Sequence, residues 1–150
     1  MLKVVAAVEP GDVCYEPVLR CAGRLTGDGT LHVVSIYPSP IEWVCDPIRT
    51  LESQTAEARR ARAEQIESDA ARLGVPAPAV VVPLATEVSA GDDVVKHAQH
   101  LGAELVVLGT HGRTGLEAWV LGSVAERVVR YAHCDVYVVR APADPGRTSA

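Results

Sequence analysis

The chain lacks phenylalanine altogether, has only two lysines and contains no long run of apolar residues. Without phenylalanine, the core of a chain that is 48% hydrophobic has to be packed from valine, alanine and leucine. No apolar run approaches the roughly 20 residues that span a bilayer, and no secretory leader follows Met1. We therefore expect one cytoplasmic domain, which suits a length of 150 residues.

Acidic residues outnumber basic ones, 19 to 14, and the formal net charge is −5. Sequence-independent binding of nucleic acid needs a cationic surface that releases counterions, so we expect no nucleic-acid partner, and we expect no membrane partner. The cysteines form no C-x-x-C pair, so neither a zinc site nor a disulfide framework is indicated. We expect reduced thiols in the core or in loops at all four positions: Cys14, Cys21, Cys45 and Cys134.

Apolar runs of strand length alternate with segments of helical composition along the chain. The runs are mostly continuous rather than alternating, which is typical of strands covered on both faces. We therefore predict an α/β fold, a single doubly wound domain with a five-stranded parallel sheet and helices on both faces. The predicted strands are 2–8, 30–37, 78–84, 103–110 and 134–140, and the predicted helices are 12–25, 50–74 (mostly solvated), 91–101 and 117–132.

The segment GTHGRTGLEAWVLGS, residues 109–123, follows the fourth predicted strand. In a doubly wound sheet the ligand lies outside the carboxyl ends of the strands where the winding reverses, which points to the loops after strands one and four. Ser123 and Glu126 match a capping box, so we predict Ser123 as the cap of a helix. Glycine amides that turn toward one centre, Arg113 and the positive helix end together predict a phosphate-binding loop.

Two other phosphate-binding motifs are excluded by the sequence. A P-loop needs a lysine in the loop, and the only lysines are Lys3 and Lys96. The dinucleotide fingerprint needs G-x-G-x-x-G after the first strand, where the chain reads AAVEPGDVCYEP. The predicted loop is therefore of a different kind.

The loop resembles the G-x-x-G, nine residues, G-S motif of the universal stress protein family: Gly109, Gly112, then RTGLEAWVL, then Gly122 and Ser123. The segments KVVAAVEP, LHVVSIYP, GAELVVLGTHGRTG and CDVYVVR look like that family's first, second, fourth and last strands. The resemblance implies a domain at 1–141 with an adenine nucleotide alpha hydrolase-like fold. The remaining residues, 142–150, contain Pro, Gly and Ser but nothing to bury, so we predict a disordered tail there. The resemblance also implies a homodimer through the last strand, residues 134–140, and binding of ATP with Mg²⁺.

The resemblance further implies which residues contact the nucleotide. The end of the first strand would line the adenosine pocket, the backbone of Ile36 would meet the adenine, and the glycine loop and helix start would hold the ribose and phosphates. The implied set is Ala7, Val8, Glu9, Ile36, Gly109, Thr110, His111, Gly112, Arg113, Thr114, Gly115, Gly122, Ser123 and Val124. The chain departs from the family in having Glu9 for the usual Asp, Pro10-Gly11 for a small pair, and Asp135 for a Pro.

Three functions follow as hypotheses from these patterns. The first is an ATP-binding regulatory module of the stress response, with an unknown protein partner and no catalytic residue. The second is a slow ATPase or self-phosphorylating protein, suggested by His111, Thr114 and Ser123 near the phosphates, although no acid ends the fourth strand to hold a metal. The third is a nucleotide-free dimeric scaffold that pairs through the apolar last strand. His97 and His100 lack an evident third ligand, so we predict no metal site.

Overall fold

The computed structural model describes residues 1–39, 48–110 and 121–140, with only the backbone given for 48–53. Strands and helices alternate strictly, which confirms the predicted order. They are β1 Lys3–Ala7, α1 Tyr15–Thr26, β2 Thr30–Val34, α2 Ile48–Arg72, β3 Ala79–Val81, α3 Ala90–Leu101, β4 Leu105–Gly109, α4 Ser123–Tyr131 and β5 Asp135–Val139. None of the described helices is long and apolar enough to cross a membrane.

The five strands form one parallel sheet in the order β3-β2-β1-β4-β5. The central strand β1 pairs on one side with β2, with Lys3 opposite Thr30, and on the other with β4, with Val4 opposite Leu105. The chain winds outward from β1 to β3, then crosses back to β4 and continues to β5. The winding therefore reverses between β1 and β4, which confirms the doubly wound sheet and places the switch point between these two strands.

Two aliphatic layers bury the sheet. Helices α1 and α2 cover one face, and α3 and α4 cover the other. Each fully buried valine or leucine contributes about 1.5–3 kcal/mol relative to exposure, so the layers need no phenylalanine to hold the strands rigidly. The first layer contains Val4, Leu19, Val33, Ile66 and Val107, and the second contains Val5, Val34, Val94, Val106 and Val128.

Helix α2 is mostly solvated, as its composition predicts. Its buried side chains form one narrow stripe in which Ile66 and Ala70, four residues apart, are fully buried. The helix is also tied to α1, because the Tyr15 hydroxyl donates to Asp69 at 3.0 Å and Arg72 pairs with Glu16 at 2.7 Å. Burial, with the Asp69 hydrogen bond, raises the pKa of Tyr15 above its ordinary range.

Several predicted boundaries are wrong. The third strand is only three residues long, Ala79–Val81, because Pro83 has no N–H to donate to the sheet ladder. The pairing continues beyond it as a single bridge between Tyr37 and Leu84. Among the described residues of the predicted helix 117–132, helical structure begins only at Ser123.

Three of the four cysteines are placed as predicted, in the core or partly buried. Cys14 and Cys21 are buried, Cys134 is half-buried, and all three are free thiols. Burial raises the pKa of the Cys134 thiol, and nearby Asp135 adds to the effect. Cys45 and the predicted disordered tail at 142–150 lie outside the described residues.

Candidate functional site

The carboxyl ends of β1, β2 and β4 meet at one edge of the sheet. Ala7 at the end of β1 lies opposite Val34 of β2 and Leu108 of β4. The pairing extends one residue further, since the Val8 amide donates to the Val34 carbonyl at 3.0 Å. Adjacent strands are about 4.8 Å apart, so Glu9 leaves the sheet between the ends of its two neighbours.

The start of α4 is fixed beside the end of β4. The Thr110 amide donates to the Val139 carbonyl at 2.9 Å and thereby prolongs the pairing of β4 with β5. The Gly122 amide then donates to the Thr110 carbonyl at 2.6 Å. The two ends of the glycine-rich segment are thus joined directly. His111, Gly112, Arg113, Thr114 and Gly115, between these ends, lie outside the described residues.

The predicted capping box at the start of α4 is wrong. Gly122 is the N-cap, with no side-chain cap, and Ser123 is already the first helical residue. The Glu126 carboxylate accepts from Arg130 at 3.1 Å, one turn further along the helix, instead of reaching back to the cap. A one-residue shift of the helix start explains the error, because it moves the serine hydroxyl out of the capping position.

The first turn of α4 brings backbone amides to this edge of the sheet. The Glu126 amide is the first of the helix that donates to an intrahelical acceptor, the Gly122 carbonyl at 2.9 Å. The amides of Ser123 and Val124 precede that bond and point out of the helix end, where the helix dipole is positive. The Val124 side chain packs into the core, so its backbone is the part that faces the edge.

Sequence reasoning missed Arg62 of α2. Its Nη1 lies 3.3 Å from the Ser35 hydroxyl, 3.5 Å from the Ile36 carbonyl and 4.0 Å from Oε1 of Glu9. Its guanidinium also lies over the Tyr37 ring, 4.7 Å from the centroid. The signal was available, because Arg62 precedes Ile66 by four residues and Ala70 by eight and so falls on the buried stripe of an otherwise solvated helix.

Helix α3 carries His97 and His100, the two histidines for which the sequence showed no third metal ligand. Burial lowers the pKa of His97, with Asp93 opposing the shift, while His100 is exposed. Within the described ranges, no group of three or more His, Cys, Asp or Glu side chains is arranged to hold a metal. The buried Asp93 has a structural role instead, since it accepts from the Thr86 amide and hydroxyl and from the Glu87 amide ahead of α3.

The described residues of the predicted nucleotide set fall at the same edge of the sheet. Ala7, Val8 and Glu9 leave β1, Ile36 follows β2, Gly109 and Thr110 end β4, and Gly122, Ser123 and Val124 begin α4. Ala7 and Ile36 pack against the core, so they too present backbone at the edge. The arrangement combines backbone amides on the β4 side with charged side chains on the β1–β2 side.

Residues 1–140 match the family model described as the universal stress protein family. This chain belongs to the universal stress protein family. A universal stress protein of Methanocaldococcus jannaschii is 53% identical over 51 residues, which cover 34% of this chain and 30% of that protein. The sequence match therefore spans less than a third of that curated relative.

Two solved universal stress protein structures share the fold of this chain. One, in complex with cAMP, is 19% identical with a TM-score of 0.67, and the alignment covers 94% of this chain and 98% of that one. The other, from Archaeoglobus fulgidus in complex with dAMP, is 20% identical with a TM-score of 0.56 and coverages of 92% and 97%. The whole five-stranded domain is thus common to these universal stress proteins.

Proposed function

We propose that this universal stress protein binds ATP, as its Mg²⁺ complex, and acts as a homodimeric regulatory module whose nucleotide occupancy changes its dimer or partner surface. The observation that carries the proposal is the hydrogen bond from the Gly122 amide to the Thr110 carbonyl at 2.6 Å. It fixes a positive helix end, without a side-chain cap, beside the switch point of a doubly wound sheet.

The two sides of the edge suit the two halves of a nucleotide. On the β4 side, the amides of Ser123 and Val124 are donors for phosphate oxygens. On the β1–β2 side, the Glu9 carboxylate and the Ile36 backbone offer acceptors and donors for the ribose and base. Mg²⁺ would arrive with the triphosphate, since it keeps several waters and often uses phosphate oxygens as ligands.

The relatives that share the fold support an adenine nucleotide as the ligand. One binds cAMP and another binds dAMP, both of which carry a single phosphate. We propose ATP for this chain because its glycine motif extends past β4 to the start of α4. Affinity should therefore rise from AMP to ADP to ATP.

The edge strand β5 supports a homodimer. It ends the sheet, and Tyr137 on it is 49% exposed, while Val129 on the neighbouring helix α4 is 48% exposed. A groove of about 860 Å³ runs between α1 and β5, lined by Asp12, Glu16, Arg20, Arg24, Tyr137 and Arg140 among others. A second copy that pairs through β5 would cover this groove and remove the exposed edge.

The free thiols of Cys14, Cys21 and Cys134 support a cytoplasmic location, where thiols are kept reduced. Slow hydrolysis or self-phosphorylation stays a prediction. It is suggested by Ser123 at the start of α4 and by His111 and Thr114, and the latter two lie outside the described residues. Phosphate release above background with saturating ATP would establish it.

The proposal is tested by calorimetric titration of the nucleotide-free protein with ATP, ADP, AMP and GTP, beside the variant Ser123→Asp. A carboxylate in the first turn favours the helix dipole, so the variant should fold at least as stably as the parent. The same carboxylate repels phosphate, so ATP affinity should fall about 100-fold, which corresponds to about 2.8 kcal/mol.

Ser123→Asn is the matched control, because it has nearly the same shape without the charge. It should bind ATP within about threefold of the parent. Absence of saturable ATP binding by the folded parent would overturn the proposed function. Equal losses in the Asp and Asn variants would show that phosphates do not lie at this helix end.

A further inference from the structure

We infer that Arg62 is a positioning residue that permits nucleotide binding by compensating the charge of Glu9. The inference rests on the proposed function and names a residue that the glycine motif does not contain. Arg62 comes from the middle of α2, far in sequence from β1 and from the glycine loop. Its place in the fold, rather than any local pattern, brings it to the site.

Arg62 is mostly buried and its backbone is held in place. Its side chain is 17% exposed, whereas that of Glu9 is 36% exposed. The backbone that carries Arg62 is fixed by the buried Ile66 one turn later and by Arg59, whose Nε donates to the Val82 carbonyl at 2.6 Å. The guanidinium is therefore a fixed cation beneath the ends of β1 and β2.

A carboxylate at this position opposes the binding of a polyanion. Glu9 leaves β1 between the ends of β2 and β4, beside the strand that leads to the phosphate-binding helix end. Like charges in a partly buried site repel more strongly than in water, and the repulsion grows with the charge of the ligand. A positive group that faces Glu9 reduces the repulsion, so it should matter more for ATP than for AMP.

The chemistry of arginine suits this role better than that of lysine. The planar guanidinium stacks on Tyr37 while its nitrogens reach Ser35, Ile36 and Glu9 at once. A lysine ammonium has the same charge but no planar face for the ring and a flexible stem. Arg62→Lys should therefore keep most of the charge effect and lose part of the fixed geometry.

The first experiment compares Arg62→Gln with Arg60→Gln by calorimetric titration with ATP, ADP and AMP. Arg60 is the matched control, because it lies on the same helix, pairs with Glu64 and is 78% exposed in its side chain. Both variants lose one positive charge. We expect Arg62→Gln to weaken ATP binding about tenfold and AMP binding less than about threefold, and Arg60→Gln to change either by less than about twofold.

A double-mutant cycle with Glu9→Gln tests whether Arg62 acts through Glu9. If it does, Arg62→Gln should cost less than about twofold in ATP affinity when Glu9 is already neutral. An equal loss in both backgrounds would overturn the inference, as would an equal loss for ATP and AMP. A merely structural role would lower the melting temperature of Arg62→Gln without this dependence on ligand charge.

Arg62→Lys gives a second route should Arg62→Gln fail to fold. It should bind ATP within about threefold of the parent, and a loss of tenfold or more would overturn the charge argument. The two proposals fail separately. A folded parent that does not bind ATP overturns the proposed function, whereas a parent that binds, with Arg62→Gln equal to Arg60→Gln, overturns only the role of Arg62.

Discussion

The two sides of the candidate site are built from different parts of the chain. On the β4 side, the described groups are backbone amides at the start of α4, fixed by one hydrogen bond between Gly122 and Thr110. On the β1–β2 side, they are side chains, with Arg62 set among Glu9, Ser35 and Tyr37. The first side is thus set by local geometry and the second by packing between distant elements.

This difference has a functional consequence. A set of amides has a fixed positive character that no change of protonation removes, so the β4 side should be required for any phosphate ligand. Single substitutions can strengthen or weaken an ion pair between side chains. Changes on the β1–β2 side should therefore alter the affinity for a nucleotide without abolishing binding. Single substitutions should therefore separate the two sides by the size of their effects.

The largest effect is expected from Gly122→Val on the backbone side. Gly122 has φ −60° and ψ 158°, an extended conformation that valine adopts readily, so the fold should be retained. The valine side chain would intrude where phosphates approach the amides, and ATP affinity should fall about 100-fold or more. Titration calorimetry measures the affinity, and a thermal melt checks the fold.

Gly122→Ala is the control for Gly122→Val, since its methyl group is the smallest intrusion that a side chain can make. A graded loss from Gly to Ala to Val would support close approach of the ligand to this backbone. A folded valine variant with unchanged affinity would remove the basis for distinguishing the two sides.

A smaller effect is expected from Glu9→Asp on the side-chain side. The shorter side chain withdraws the carboxylate by one methylene from Arg62, which is already 4.0 Å away. The charge compensation weakens, so ATP affinity should fall about threefold rather than 100-fold. The same titration measures it. A loss of ATP affinity as large as that of Gly122→Val would mean that binding requires Glu9 and that Glu9 does more than alter the affinity.

The smallest effect is expected at His97, on α3. Burial lowers the pKa of His97 in the folded protein, so below its ordinary value of 6.5 the unfolded state binds more protons and stability falls as the pH falls. The melting temperature should therefore drop between about pH 7 and pH 5, and His97→Gln should lessen the drop. The exposed His100→Gln should not lessen it.

The His97→Gln and His100→Gln variants also test whether the site is confined to its β4 and β1–β2 sides. Helix α3 contributes no residue to the predicted nucleotide set, so ATP affinity at pH 7 should be the same in both histidine variants and in the parent. A change in ATP affinity with either variant would show that the site also includes helix α3.

The sheet was predictable because each strand is marked in the sequence by a local run of apolar residues. The continuous valine runs of β1 and β4 indicated strands covered on both faces, and the alternation with helices fixed a parallel sheet. The third strand was overestimated, since a single proline, Pro83, outweighed an apolar run that otherwise favoured a longer strand. For α4, the start at Ser123 agrees with the capping pattern but not with the predicted range 117–132, and the cap is Gly122 rather than Ser123.

Only the backbone side of the candidate site carries a local signal in the sequence. Glycine spacing marks where a chain turns and where a helix begins, and this information is local. Arg62 contacts Glu9 across 53 positions of sequence, and its role depends on how α2 packs over the sheet. No spacing rule reveals such a contact, although an arginine on the buried stripe of a helix was a sign that a partner had to exist.

The candidate site adjoins the central strand β1, which resists local opening. Val4, Val5 and Ala6 are fully buried, with a strand on either side and a helical layer on each face. Amide protons at such positions exchange with solvent only when the whole domain opens. The edge at Glu9 therefore rests on the part of the molecule that opens last, and any ligand that binds only the folded state makes that opening rarer still.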